Sequence, residues 1–178
     1  MSTLFEARLD AYLRLAGAAA SHLKKGRLYE NMLDYMLTSI PGCRTQRNTL
    51  NQYGTEEVDI TVANTRADNG LRMLPDFFLV ECKNWTTPVD STTLGYFVNV
   101  LADRGCELGI LAAASGITGN QEHRSRAFNI GTNALIRRIR VLVITADDIR
   151  RLRGPEDLIE LLHSRNLLLT AHGGIHLG

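Results

Sequence analysis

Apolar residues recur along the chain in two rhythms, and the changes between them mark out the elements. From about Thr3 to Leu23, Leu4, Leu9, Tyr12, Leu13 and Leu15 stand at mostly helical spacing, with Ser2 or Thr3 placed to cap the start. Gly26 interrupts, and Leu28 to Leu37 resumes the helical rhythm until Ile40-Pro41-Gly42, so the pattern predicts a long first helix and a second close behind it. The texture then changes. Arg44 to Leu50 is polar and rich in threonine and asparagine, Asn51-Gln52-Tyr53-Gly54 reads as a turn, and Val58-Asp59-Ile60-Thr61-Val62 alternates like a half-buried strand. That is a hairpin. After a turn-prone stretch from Asn64 to Gly70, the run Phe77-Phe78-Leu79-Val80 predicts a buried third strand. It carries Glu81 and Lys83 on one face near its end, because side chains two apart on a strand point the same way.

Helical spacing returns at Leu94, Phe97, Val98 and Leu101, started by Pro88-Val89-Asp90-Ser91 and stopped by Arg104-Gly105. Leu108 to Ala113 reads as a central strand, Gly119 to about Ile139 as a helix despite Gly131, and Val141 to Ile144 as another buried strand. Ala146 to His163 reads as two short helices separated by Gly154-Pro155. Helices, three strands, helix, strand, helix, strand, helices: the order predicts an α/β/α sandwich around a mixed sheet. The expected layout is one domain over 1–178, with N-terminal helices over 3–40, a core over 43–145, and helices over 146–165 followed by a tail.

Composition narrows the class of protein. At 178 residues and 44% hydrophobic, the chain suits one compact domain with a substantial core. Its 20 basic and 19 acidic residues nearly cancel, which excludes a protein that coats nucleic acid by overall charge and makes any such contact local. Cys43, Cys82 and Cys106 form no CxxC pair and suggest reduced thiols in the cytoplasm. The first residues lack the basic-then-apolar layout of a signal peptide, and no stretch reaches the roughly 18 apolar residues of a membrane span. The expectation is a soluble cytoplasmic protein with no membrane partner.

The candidate chemistry lies at Val80-Glu81-Cys82-Lys83-Asn84-Trp85. Cleaving a phosphodiester takes an activated water, neutralisation of charge on the non-bridging oxygens, and help for a departing oxyanion; carboxylate-bound magnesium can supply all three. Two acids converging from adjacent elements and a nearby lysine make such a site, and Asp59, Glu81 and Lys83 provide that set. The plain alternative is an exposed ion pair at a strand end, which contributes little.

With an acid on one strand in Glu57-Val58-Asp59-Ile60 and acid-x-Lys in Glu81-Cys82-Lys83 on the next, the chain resembles the PD-(D/E)XK nuclease superfamily, and within it the Mrr-type restriction endonuclease-like domains. The resemblance includes Gly26-x-x-Tyr29-Glu30 on the preceding helix, Phe97, Gly109-Ile110-Leu111 and Gly116-Ile117-Thr118-Gly119, and spans roughly residues 26 to 145. It implies a restriction endonuclease-like fold and a divalent ion, Mg²⁺ with Mn²⁺ able to substitute, held by Asp59, Glu81 and the Cys82 carbonyl. Lys83 would contact the water or scissile phosphate, and Glu30 would be an auxiliary acid. Pro75-Asp76 spells the superfamily's name literally, but Asp76 leads into the same strand as Glu81. Five extended residues span about 16 Å, too far to share one ion at about 2.1 Å per ligand, so Asp76 reads as a turn residue.

Other residues keep two readings. Asn84 and Trp85 line a groove for DNA or cover the core edge. Lys24, Lys25 and Arg27 are candidates for contact with the nucleic-acid backbone, ahead of Arg137, Arg138, Arg140, Arg150, Arg151 and Arg153, about half of which belong on ordinary exposed faces. Glu56 and Glu57 read as solvated hairpin charge, Cys82 as core, and His172-Gly-Gly-Ile-His176 as a loose tail. Tyr29, Met32 and Tyr35 mark either core or an interface. The function expected is a metal-dependent DNA endonuclease in restriction, defence or repair, acting as a homodimer on both strands of a duplex, with a separate specificity or regulatory protein as a possible partner. The other reading is a catalytically silent module of the same fold that binds nucleic acid or scaffolds an assembly. RNA as substrate stays open.

Overall fold

The computed structural model describes residues 3–51, 53–118, 130 and 133–175. Helices α1 (Leu4–Gly17) and α2 (His22–Thr38) lead into strands β1 (Cys43–Leu50), β2 (Glu57–Asn64) and β3 (Phe77–Lys83). Helix α3 (Ser91–Asp103), strands β4 (Leu108–Ala113) and β5 (Arg140–Ile144), and helices α4 (Ala146–Arg151) and α5 (Pro155–His172) follow. The five strands form one mixed sheet in the order β1-β2-β3-β4-β5. The first three run antiparallel, and β3, β4 and β5 are parallel.

Strand alternation decides which helices cover which face. Val80, Ile110 and Ile144 meet Leu33, Met36 and Leu37 of α2 and Leu158 and Leu162 of α5 on one side. On the other side α3 lies so close to β4 that a Cβ at Gly109 would stand 2.6 Å from Leu101 Cδ1 and 2.7 Å from the Phe97 ring. The expected sandwich of helices on both faces of a mixed sheet is therefore the observed fold. Tyr29 and Met32 are buried, and Tyr35 packs its ring 5.6 Å from Phe5 and 6.5 Å from Tyr12, so this face of α2 is core beneath α1.

Between β2 and β3 the buried Asn64 donates through Nδ2 to Leu71 O at 2.8 Å, Leu74 O at 3.2 Å and Pro75 O at 3.1 Å, and accepts the Arg66 N–H. One amide thus satisfies a whole loop and fixes the angle at which β3 enters the sheet. Asp76 is exposed at the loop's end, with Oδ1 3.5 Å from Arg66 Nε.

Three expected boundaries move. The first helix stops at Gly17 rather than near Leu23, because Ser21 caps a new helix by accepting the Lys24 N–H. Gly26 lies inside α2, with Asn84 Nδ2 at ordinary contact distance, 3.4 Å from where a Cβ would stand, and does not end a helix. The last helix runs past 165 to His172. Leu158, Leu162 and Leu169 continue its buried stripe, Arg165 and Asn166 are buried as partners of Asp148 and Arg140, and Gly173 closes the helix at φ 66°. The supposed loose tail is thus a capped helix end with Ile175 buried behind it, and His176 lies outside the described residues. Of the helix expected from Gly119 to Ile139, residues 133–136 are helical, while 119–129 and 131–132 lie outside the described residues; so does Gln52 of the hairpin turn.

Candidate active site

The β2–β3 ladder runs from Ala63↔Phe77 to Ile60↔Val80 and stops. Asp59 and Glu81 are the next residues outward, opposite one another on the face that does not meet α2. Where the ladder stops, the Cys82 N–H has no backbone acceptor on β2; Asp59 Oδ2 takes it instead at 2.7 Å. On its other edge β3 stays paired with β4 through Lys83↔Ala113, and the Lys83 carbonyl accepts from Ala114 N at 2.9 Å. Successive residues of a strand turn their backbone groups to opposite neighbours, so Cys82 directs its carbonyl, like its N–H, toward β2.

The β1–β2 ladder is open at the same level. It runs from Cys43↔Asn64 to Leu50↔Glu57 with one rung missing, and the residues that the rung lacks are Asn48 and Asp59. Asn48 is left-handed at φ 49°, a conformation asparagine tolerates better than most residues. The irregular rung to β1 and the end of the ladder to β3 thus fall at the same residue, Asp59.

Lys83 Nζ lies 2.6 Å from Glu81 Oε1, with both side chains largely covered, and 5.7 Å from the centre of the Trp85 ring. Burial alone would pull the Lys83 ammonium down, but the charge and hydrogen bond of Glu81 outweigh it and hold the group above its ordinary value. Asp59 goes the other way for a carboxylate: burial, reinforced by Glu81 and Glu30, pushes it up to about 7 against relief from the Cys82 N–H and Lys83. A carboxyl that is hard to ionise beside a second carboxylate is the electrostatic mark of a place that favours positive charge.

The remaining predicted residues fall into three groups. Glu30 sits on α2, with Oε2 3.3 Å from Arg47 Nη2, while Arg47 Nη1 donates to Asn31 at 2.5 Å. Glu30 thus acts on Asp59 through space while its hydrogen bond goes to β1. Cys82 turns its thiol to the core side, where burial and then the Asp59 charge raise it well above the ordinary thiol value, so it is no nucleophile. Asn84 lies against Gly26, which brings the first turns of α2, with exposed Lys24 and Arg27 and half-buried Lys25, beside the end of β3. Trp85 is 42% exposed, with its carbonyl held by Ser115 Oγ at 2.7 Å. Four of the later arginines have partners within the chain: Arg137 bonds Asn99, Arg140 bonds Asn166, Arg150 pairs with Asp147 and Arg153 with Glu6.

Sequence reasoning missed Asn48, Arg47 and the role of Glu56. Glu56 is no solvated charge but a covered partner of Arg104, 3.0 Å from its Nε, tying the hairpin to the end of α3. Asn48 could have been flagged as the residue most tolerant of a left-handed backbone within a strand-like run; nothing local marks Arg47 or Glu56.

Among the described residues no helix is long and apolar enough to cross a membrane. A search of curated proteins finds no match to the chain. The model of the restriction endonuclease family Mrr_cat matches residues 5–151, a span that includes both helices before the hairpin, the whole sheet and every residue of the site. That match covers most of the chain, and the chain, with its helix-covered mixed sheet, belongs to the Mrr-type restriction endonuclease family.

Proposed function

We propose that the protein is an endonuclease that hydrolyses DNA phosphodiesters with a divalent ion, Mg²⁺ or in its place Mn²⁺, held by Asp59, Glu81 and the Cys82 carbonyl. The observation that carries this is the pairing of Asp59 with Glu81 at the end of the β2–β3 ladder, with Asp59 raised to about 7 by its surroundings. All three donors are hard oxygens. Among the described residues no three His, Cys, Asp or Glu side chains form a ready cage, which suits magnesium: it needs one or two carboxylates and keeps several waters.

Bound there, the ion supplies a Lewis acid and an acidified water. The chain's own contribution follows from its geometry. The Cys82 N–H holds one oxygen of Asp59 and so fixes the direction of the other. Lys83, kept protonated by Glu81, is a source of positive charge for the phosphate rather than a base. Glu30 tunes Asp59 at a distance. Water attacks the phosphorus and the 3′-oxygen departs, as the family resemblance implies, which leaves a 5′-phosphate; one active site per chain favours a homodimer for cutting both strands of a duplex. A role in restriction, defence or repair accords with the family.

The test incubates the protein with supercoiled plasmid, linear duplex, single-stranded DNA and RNA, with Mg²⁺, with Mn²⁺ and with chelator. Lys83→Ala and Asp59→Ala run in parallel. Cleavage of DNA by the wild type alone, abolished by chelator, is expected. No metal-dependent cleavage of any substrate, or full activity in both variants, rules the reading out.

A further inference from the structure

The outward face of β1 is exposed along its length at Arg44, Gln46, Asn48 and Leu50, while its inward residues Thr45 and Arg47 bond to α2. Helix α3 packs on β4, and among the described residues the β1 side chains on the same side of the sheet stay exposed. Arg44 stands opposite Ala63, Gln46 opposite Thr61, and Asn48 at the missing rung opposite Asp59. Among the described residues no hydrogen bond or ion pair engages the side chains of Arg44, Gln46 or Asn48, in contrast to Arg47 beside them. Asn48 also holds a left-handed backbone that no contact of its own side chain explains.

We infer that this face of β1 holds the substrate duplex beside the scissile phosphate, with Arg44, Gln46 and Asn48 as its DNA-contacting residues; the inference rests on the nuclease reading above. The three side chains share one face at intervals of about 7 Å, close to two base steps of about 3.4 Å each. They are the types that reach base edges and phosphates: a guanidinium and two carboxamides, each able to make paired hydrogen bonds. Asn48 is in line with Asp59 and, beyond it, Glu81, so a strand of DNA lying on these residues continues directly into the site. The acid at the far end, Glu57, lies opposite Leu50 and leaves the row between Arg44 and Asn48 without a carboxylate of its own.

Arg44→Ala, Gln46→Ala and Asn48→Gly are compared with wild type for binding of a labelled linear duplex in chelator and for cleavage of the same duplex in Mg²⁺. Asn48→Gly keeps the left-handed backbone while removing the amide; Arg72→Ala, on an exposed arginine next to Asp68, is the control. Each of the three is expected to weaken binding and raise KM by about fivefold or more, with Tm unchanged, and Arg44→Ala to flatten the salt dependence by about one unit of slope. Wild-type binding and KM in all three variants overturn the inference while leaving the nuclease reading intact. Weakened binding by the variants of a wild type that cuts nothing supports the face and refutes the nuclease. A wild type that neither binds nor cuts refutes both.

Discussion

Asp59 Oδ2 accepts the Cys82 backbone N–H at 2.7 Å, so a side chain stands in for the β2–β3 ladder, which stops at Ile60↔Val80. A carboxylate that would otherwise swing freely is oriented by the backbone of the next strand, between Glu81 and Lys83 in sequence. The same contact stabilises the anion, yet burial and the neighbouring Glu81 overrule it. The metal-free site is consequently under electrostatic strain of a definite sign.

That sign gives the first prediction. Asp59 moves from the ordinary 3.8 to about 7 on folding, so between those values the folded protein holds a proton that the unfolded chain has lost. The contribution is fully present below about pH 4 and disappears as pH rises through about 7. Without metal, Tm should fall between pH 5 and pH 8, and Asp59→Asn should flatten that fall. At pH 8 the variant should gain on the order of 2 kcal/mol over metal-free wild type, equivalent to roughly 4–8 °C. Added Mg²⁺ should raise the wild-type Tm and leave Asp59→Asn unmoved. Parallel pH profiles for the two metal-free proteins would contradict the assignment.

Lys83→Met keeps the stem and removes the charge beside Glu81. If the ammonium stabilises the reacting phosphate, cleavage should drop by about 10²–10⁴-fold at saturating Mg²⁺. Because the lysine acts while protonated, the wild-type rate should show no rise attributable to its deprotonation up to pH 9. A rate that climbs with the loss of that proton would instead make Lys83 a base.

Glu30 and Arg47 should separate function from stability. Glu30→Gln keeps a hydrogen-bond acceptor for Arg47 and is expected to lower cleavage less than tenfold. Arg47→Ala strands Glu30 and Asn31 without their shared donor and should cost about 1–2 kcal/mol of stability by denaturant titration. A loss from Glu30→Gln as deep as that from Lys83→Met would place Glu30 among the ligands.

Gly109→Ala tests the seat of α3. The added methyl meets Leu101 and the Phe97 ring well inside contact distance, so about 1–3 kcal/mol should be lost as the helix is pushed off β4. Unchanged stability would mean that α3 has room to shift.

The hairpin was legible because β2 alternates in twos, and the strand that follows because a short unbroken apolar run ends in charged residues. The preference for Asp59 over Asp76 followed from the extended span and the odd spacing between Asp76 and Glu81, and Asp76 sits exposed beside Arg66. What stayed hidden depended on residues far apart in sequence. Gly26 looked like a break because glycine is a poor helix former, yet α2, capped from Ser21 and packed against the sheet, runs through it. The last helix looked short because Arg165 and Asn166 interrupt the apolar rhythm, although Arg165 meets Asp148 at 3.0 and 3.1 Å and Asn166 accepts from Arg140 at 2.9 Å. Glu56 and Asn48 were invisible for related reasons: one is explained by Arg104 on α3, the other by a missing rung.

The reach of α5 carries a practical consequence for anyone trimming the protein. The family match ends at Arg151, but Leu158 and Leu162 of α5 help close the apolar layer over Val80, Ile110 and Ile144. A fragment cut at the family boundary would bare that side of the sheet to water and withdraw Arg165, which pairs with Asp148. Such a fragment should be recovered as aggregate, and its inactivity would say nothing about the catalytic residues it still contains.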